Sequence, residues 1–319
     1  MHLHVMVKGW LFAFLLFAFL KRQTAARKTD VELDKWACHC AFETGFGRCL
    51  DNRQVTKIRR KMEVKKPLIL VSNDDGYHAK GLRSLVAMLT DFADVVVCAP
   101  DAGRSGFAGA FSVAKPLLLK RRKDVVGAPV WSSNGTPVDC VKLAFSELFA
   151  ERQPDLILSG INHGDNAAVN VHYSGTMGVV IEGCLKGFPS VGFSLADPDE
   201  DADFEPLRPY VRDIVRRVLA EGLPKEVCLN VNFPRAQTFK GVKVCRMNRG
   251  TWVNECEKRT HPHGYDYFWM AGHFQSDEPE AQDTDHWALK NGYVAIVPTR
   301  IDVTCYDSLQ RMKAWEEVL

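Results

Sequence analysis

The chain is 319 residues long, 46% hydrophobic and 25% charged, which is ordinary for a globular protein of one or two domains. Its formal net charge of +2 hides an asymmetry: residues 1–66 carry 14 Lys/Arg against 6 Asp/Glu, whereas residues 67–319 carry 27 against 33. A mildly acidic body argues against a nucleic-acid backbone binder, which would place its cations on the folded part.

Residues 10–20, "WLFAFLLFAFL", form an apolar run of eleven between Lys8 and Lys21-Arg22. That is too short for a membrane span, which needs ~20 residues, and no small-x-small cleavage site follows it closely. The rest of the stretch is basic and weakly periodic, and the folded pattern begins abruptly after Met62. Residues 1–66 are therefore expected to be an unstructured basic leader, outside the native protein if translation starts at Met62. A genuine export signal is the rival reading. Cys38-His39-Cys40 with Cys49 lacks the paired spacing of a zinc site. The ten cysteines show no framework spacing, and Cys98 and Cys228 sit inside apolar runs as small core hydrophobes. That usage fits a reducing compartment, so a cytoplasmic location without stable membrane association is expected.

From residue 67 strand-like and helix-like segments alternate. "LILVSN" (68–73) precedes a helical pattern over 80–92, with Leu82, Leu85, Val86 and Leu89 on one face. "DVVVCAP" (94–100) runs into a glycine-rich loop, then "PVWSSN" (129–134). Thr136, Pro137 and Asp139 form a capping-box-like start to a helix over 135–149. "DLILSGI" (155–161) leads through a long loop to a helix over 176–187. "SVGFSL" (190–195), a helix near 206–221 and "VCLNVN" (227–232) follow. Short apolar strands between amphipathic helices predict a doubly wound, mainly parallel α/β sheet covered on both faces. After about residue 240 the texture changes to strands with few helices. Residues 67–240 are thus expected to form the α/β core, and 241–319 a C-terminal antiparallel β extension with a closing helix at 307–318.

Ligands of open α/β sheets bind beyond the carboxyl ends of the strands, and the polar clusters fall there. The first strand ends in Asn73-Asp74-Asp75-Gly76. The second offers Asp101, Arg104 and Ser105; "SGINHGDN" offers Ser159, Asn162 and Asn166; "HYSGT" offers Ser174 and Thr176. Adjacent carboxylates repel unless a cation lies between them. The donors are all oxygen, which suits Mg²⁺ or Mn²⁺ rather than zinc or copper. Such an ion could act as Lewis acid on a phosphate and lower the pKa of a bound water, and the glycines around "SGT" let backbone N–H groups approach an anion. Each fragment alone has a blander reading: Asp-Asp-Gly as a turn, "SGT" as an N-cap, His163 as a partly exposed loop histidine, Thr136 and Asp139 as caps. Tyr265, Tyr267, Phe268 and Trp269 are expected to pack an arm or a subunit contact.

The motifs "ILVSNDDGYHAKGL", "APDAGRSG", "NGTPVDCVKLA", "PDLILSGINHGDN" and "YSGTMG", in this order, resemble the SurE family of stationary-phase survival nucleotidases, from about Pro67 to the end. The resemblance implies a Rossmann-like core with a C-terminal arm exchanged in homodimers or homotetramers. It implies metal-dependent hydrolysis of nucleoside 5′-monophosphates, sometimes of 3′-monophosphates and short polyphosphate. It assigns one divalent cation (Mg or Mn) per subunit to Asp74, Asp75, Ser105 and Asn162, and places Asn166 and Ser174-Gly175-Thr176 near the phosphate. Asp74 and Asp75 are its catalytic pair. Two positions depart from the family pattern: Lys80 stands where proline is common, and Gly109 where an asparagine near the phosphate is usual. The alternative is a receiver-like phospho-switch that binds Mg²⁺ without turnover. It would need a phosphoacceptor Asp where this chain has Ser132-Ser133-Asn134. Dinucleotide and Walker-type signatures are absent.

Overall fold

The computed structural model describes residues 65–317. The leader up to residue 64, with its apolar run, Met62 and the Cys38-His39-Cys40 cluster, lies outside them.

Strand β1 (Leu68–Ser72) is buried along its whole length. Its alternate side chains serve two layers, as the twofold period of a strand requires. Ile69 and Val71 pack with Leu82, Leu85, Val86 and Leu89 of helix α1 (Lys80–Leu89) and Val211, Val215 and Val218 of helix α4 (Arg208–Glu221). Leu68 and Leu70 face the opposite way, onto Cys140, Val141 and Ala144 of α2 (Pro137–Glu147) and Val179 of α3 (Gly175–Leu185). A strand buried on both faces has no polar side to show, which is why "LILV" reads as a continuous apolar run. Each such Leu or Ile contributes about 1.5–3 kcal/mol through burial.

The remaining strands are β2 (Asp94–Pro100), β3 (Leu119–Val125), β4 (Ala128–Ser133), β5 (Leu156–His163), β6 (Ser190–Leu195), β7 (Val227–Phe233), β8 (Val242–Val244) and β13 (Val294–Arg300), and they complete a nine-stranded sheet. Its order is β3-β4-β2-β1-β5-β6-β7-β13-β8. The six strands from β4 to β7 run parallel. This is the doubly wound α/β architecture expected from the alternation of segments.

Several elements differ from expectation. Helix α1 ends at Leu89 rather than 92, and Phe92 and Ala93 turn back onto the Leu89 carbonyl. The loop after β2 is followed by an unforeseen strand, β3, whose "LKRRKDV" sequence is charged because it lies at the sheet edge, antiparallel to β4. The antiparallel strands expected after 240 are present, and two of the strands of this region join the main sheet. β13 returns to the sheet antiparallel to β7, and β8 pairs with it in parallel. It also contains helix α5 (Asp285–Lys290), capped by the Thr284 hydroxyl. Outside the sheet, β9 (Gly250–Val253) pairs with β12 (His273–Ser276), and β10 (Cys256–Thr260) with β11 (Asp266–Met270). The β10–β11 hairpin is exposed throughout and carries Tyr267, Phe268 and Trp269. The closing helix is α6 (Tyr306–Met312), extended by a 3-10 turn to Glu317.

Candidate active site

The strand order reverses between β1 and β5. From β1 the chain steps outward to β2 and β4, then crosses back to β5 on the other side of β1. Outside the carboxyl ends of those two strands a crevice must open, because their following loops leave in opposite directions. Asp74 and Asp75 follow β1, and Asn162 ends β5.

The turn after β1 is built locally. Asn73 Nδ2 donates to the Gly76 carbonyl at 3.0 Å, and Gly76 has a φ of +103°, which suits a residue without Cβ. This turn buries Asp74, with 4% exposure, and leaves Asp75 half-buried. Asp74 then meets two distant segments. The Arg104 N–H donates to its carbonyl at 2.7 Å, and Thr176 Oγ1 donates to its Oδ1 at 2.6 Å. A Cβ on Gly175 would lie 2.7 Å from the Asp74 Cβ, so glycine is what lets α3 come this close. Burial pushes the Asp74 carboxyl up to about 6, with the neighbouring Asp75 charge adding to the shift and the Thr176 hydroxyl opposing it.

On the other side of the crevice β5 is irregular. Ser159 pairs with Gly192 and Asn162 with Ser194, so three steps in β5 match two in β6. Such an extra residue re-aims the side chains beyond it. Two glycines make room for it: a Cβ on Gly160 would meet the Phe193 carbonyl at 2.3 Å, and one on Gly81 the Ile161 carbonyl at 1.9 Å. Beyond the bulge, Asn162 donates through Nδ2 to the carbonyls of His163 (3.2 Å) and Gly164 (2.9 Å), leaving Oδ1 as the atom free to ligate. His163 is partly exposed, as expected, but it is the last residue of β5 rather than a loop residue. Its Nδ1 lies 3.3 Å from Asp75 Oδ2, and its ring stands edge-on to Phe204.

Ser105 is exposed in the loop after β2, next to the Arg104 that binds Asp74. The Arg104 side chain is spent on the fold, reaching Asp101 Oδ1 and the carbonyls of Asn134 and Gly135, each at 3.3 Å. Thr136 and Asp139 form the expected capping box of α2, and they also do what the sequence did not reveal. Thr136 Oγ1 donates to the Ala110 carbonyl, and Asp139 accepts from Ser112 N and Oγ, so the cap anchors the Ser105 loop. Ala108 of that loop lies against Gly178 in α3. Ser174 is the N-cap of α3, accepting from Met177 N at 3.0 Å. Asn166 is buried, with Nδ2 on Ser194 Oγ at 2.7 Å.

Contacts thus join Asp74 to the Ser105 loop and to α3, and Asp75 to the residue after Asn162. Among the described residues, four buried side-chain atoms lack a hydrogen-bond partner: Ser72 Oγ, Asn73 Oδ1, Ser159 Oγ and His163 Nε2. Ser72 and Asn73 stand at the carboxyl end of β1, Ser159 lies within β5 beside Ser72 in register, and His163 ends β5. Orphan polar atoms cost about 1–3 kcal/mol each, so their concentration at one crevice marks a place reserved for something other than packing. The free donors here are carboxylate, hydroxyl and amide oxygens, a set that fits a hard divalent cation.

The fold and crevice define a doubly wound α/β protein with an acidic, oxygen-lined site at its switch point. The family profile described as "Survival protein SurE" matches residues 69–254. Relatives from Phocaeicola vulgatus and Bacteroides thetaiotaomicron, both named 5′-nucleotidase SurE, are 52% and 53% identical over 254 residues; each alignment covers 80% of this chain and 98% of the relative. The crystal structure of the SurE protein from Aquifex aeolicus superposes with a TM-score of 0.68 at 36% identity, covering 78% of this chain and 100% of that one. The chain belongs to the SurE family.

Proposed function

We propose that the protein is a metal-dependent 5′-nucleotidase, converting a nucleoside 5′-monophosphate and water into nucleoside and phosphate. The observation that carries this reading is the buried Asp74 carboxylate, paired with Asp75 and gripped by the first turn of α3, at the switch point of the sheet. The names of the relatives supply the reaction class.

Asp74, Asp75, Ser105 and Asn162 would hold one Mg²⁺ or Mn²⁺ per subunit; when bound, the ion supplies charge neutralisation, Lewis acidity and a more acidic water. The chain's own groups do the rest. His163 Nδ1 holds Asp75 in place, and the α3 N-terminus at Ser174-Gly175-Thr176 favours an anion through its dipole and unpaired N–H groups. Asn166 completes the phosphate surroundings. Phe107 and Tyr173 are exposed and stand within two residues of Ser105 and Ser174, offering ring faces to a nucleobase. Activity on 3′-monophosphates and short polyphosphate belongs to the same reading. So does assembly into homodimers or homotetramers through the exposed β10–β11 hairpin. A cytoplasmic setting is supported by the free, buried thiols of Cys98, Cys140, Cys184, Cys228 and Cys245. No described helix is long and apolar enough to cross a membrane.

The test is phosphate release from AMP, GMP, 3′-AMP and a short polyphosphate, with Mg²⁺, Mn²⁺ or EDTA. Cation-dependent release from a 5′-monophosphate supports the reading. No release from any of them, or release unaffected by EDTA, contradicts it.

A further inference from the structure

The stretch 164–173 joins Asn162 to Ser174 and contributes Asn166, yet its own regular structure amounts to one short 3-10 turn, Ala168–His172. Something else must hold its backbone. Three separate parts of the chain do so. Asn166 is gripped at both ends of its own peptide units by β7: its N–H donates to Asn232 Oδ1 at 2.7 Å, and its carbonyl accepts from Asn230 Nδ2 at 2.8 Å. The two β7 side chains are themselves linked, Asn232 Nδ2 to Asn230 Oδ1 at 2.8 Å. Trp252 of β9 donates its indole N–H to Asn170 Oδ1 at 2.8 Å. Ala168, held in the left-handed region at φ +49°, donates its N–H to Asp285 Oδ2 at 2.8 Å across 117 positions of sequence. A residue with a Cβ stays in that region only when its surroundings impose it.

We infer that Asp285, the first residue of α5, is a positioning residue for the 164–173 loop and through it for substrate binding. The inference rests on the nucleotidase reading, in which that loop presents Asn166 to the phosphate. Asp285 is 1% exposed, and its two oxygens are divided between two tasks. Oδ1 accepts from Asn248 N (2.9 Å) and from its own neighbour His286 N (2.8 Å), while Oδ2 is given to Ala168 alone. It is not needed as a helix cap, because the Thr284 hydroxyl fills that role. All three partners are donors, so both acceptor atoms are required and a carboxylate is the side chain that provides them. An amide of the same shape provides one. In Asp285→Asn the remaining oxygen keeps the two bonds on its own side, and the NH₂ group is turned toward the Ala168 N–H, where two donors oppose each other.

The substitution therefore releases the loop while preserving volume. The KM for AMP is expected to rise roughly tenfold, the size of a lost charge-assisted hydrogen bond, with kcat within about twofold of the parent. Mn²⁺ affinity, measured by titration calorimetry, is expected to be unchanged, since none of the four proposed ligands lies in 164–173. Hydrogen exchange at the amides of Asn166 and Ala168 is expected to accelerate while β1 and β5 keep their protection. Should Asp285→Asn fail to fold, Asn170→Ala, at a half-buried position, removes the Trp252 restraint together with the Asn170 Nδ2 bond to Asp165 Oδ1 inside the loop, and is expected to give a smaller rise in KM with the same local exchange.

An unchanged KM together with unchanged loop exchange overturns the inference. So does a general loss of protection with kcat and KM falling together, which would mark Asp285 as structural only. If the parent protein releases no phosphate from AMP, the nucleotidase reading fails, and the exchange comparison then decides the loop restraint by itself.

Discussion

Thr176 Oγ1 donates to Asp74 Oδ1 at 2.6 Å although the two residues stand 102 positions apart, one in the first turn of α3 and the other just beyond β1. That bond joins the anion-favouring end of a helix to a buried carboxylate. Thr176→Val keeps the shape and removes the donor. A hydrogen bond to a charged group is worth about 1.5–3 kcal/mol, so kcat/KM for AMP is expected to fall roughly 10- to 100-fold with the fold intact. Steady-state kinetics beside a thermal melt checks this; full activity would show that Thr176 does not position Asp74.

Asp74 links pH to stability with a definite sign. Its folded pKa, about 6, lies above the ordinary 3.8, so between those values the native state holds more protons than the unfolded chain. Its contribution is present below about pH 4 and is lost as pH rises through 6, roughly 3 kcal/mol in all. In EDTA, Asp74→Asn is expected to be more stable than the parent at pH 7 and to lose that advantage near pH 4. Urea denaturation at the two pH values measures it, and an equal difference at both would contradict the burial account. The same proton competes with a cation, so Mn²⁺ affinity is expected to fall as pH drops below about 6.

Gly175→Ala and Gly81→Ala test two close approaches. The first puts a methyl group 2.7 Å from the Asp74 Cβ and should cost activity more than stability. The second meets the Ile161 carbonyl at 1.9 Å, where backbone must move, and should cost about 1–3 kcal/mol of stability as well as displacing Asn162. Melting temperature and kcat for both variants decide it; a stable, active Gly81→Ala would mean that the β5 bulge does not need α1 against it.

Tyr173→Ala and Phe107→Ala separate base recognition from chemistry. Both are expected to raise KM for AMP several-fold while leaving hydrolysis of p-nitrophenyl phosphate, which lacks a nucleobase, near the parent rate. Equal losses on both substrates would place the two rings in the phosphate site instead.

The core was legible because parallel strands buried on both faces leave uninterrupted apolar runs, as in "LILV" and "DVVVCAP", and because Thr136-Pro137-Asp139 carries its own helix start. The acidic pair, the "RSG" loop and the "SGIN" strand end could be read as one group, since strand ends converge by topology. What escaped depended on pairing rather than pattern. β3 is charged because it is an edge, and β13 returns to the sheet only because β7 offers its free side. Asp285 closes the acidic run "SDEPEAQDTD", and nothing local marks it as the partner of Ala168. The second duty of Asp139, binding Ser112, was hidden for the same reason: its capping role already accounted for it.

In the proposed site, Asp74, Asp75, Ser105 and Asn162 share one cation, and that cation drives phosphate release. Titration calorimetry of Mn²⁺ into the parent protein, Asp74→Asn and Asp75→Asn, run beside AMP hydrolysis, tests it most directly. One ion per subunit is expected in the parent, with loss of both binding and hydrolysis in either variant. Folded variants that bind Mn²⁺ and release phosphate like the parent would contradict it.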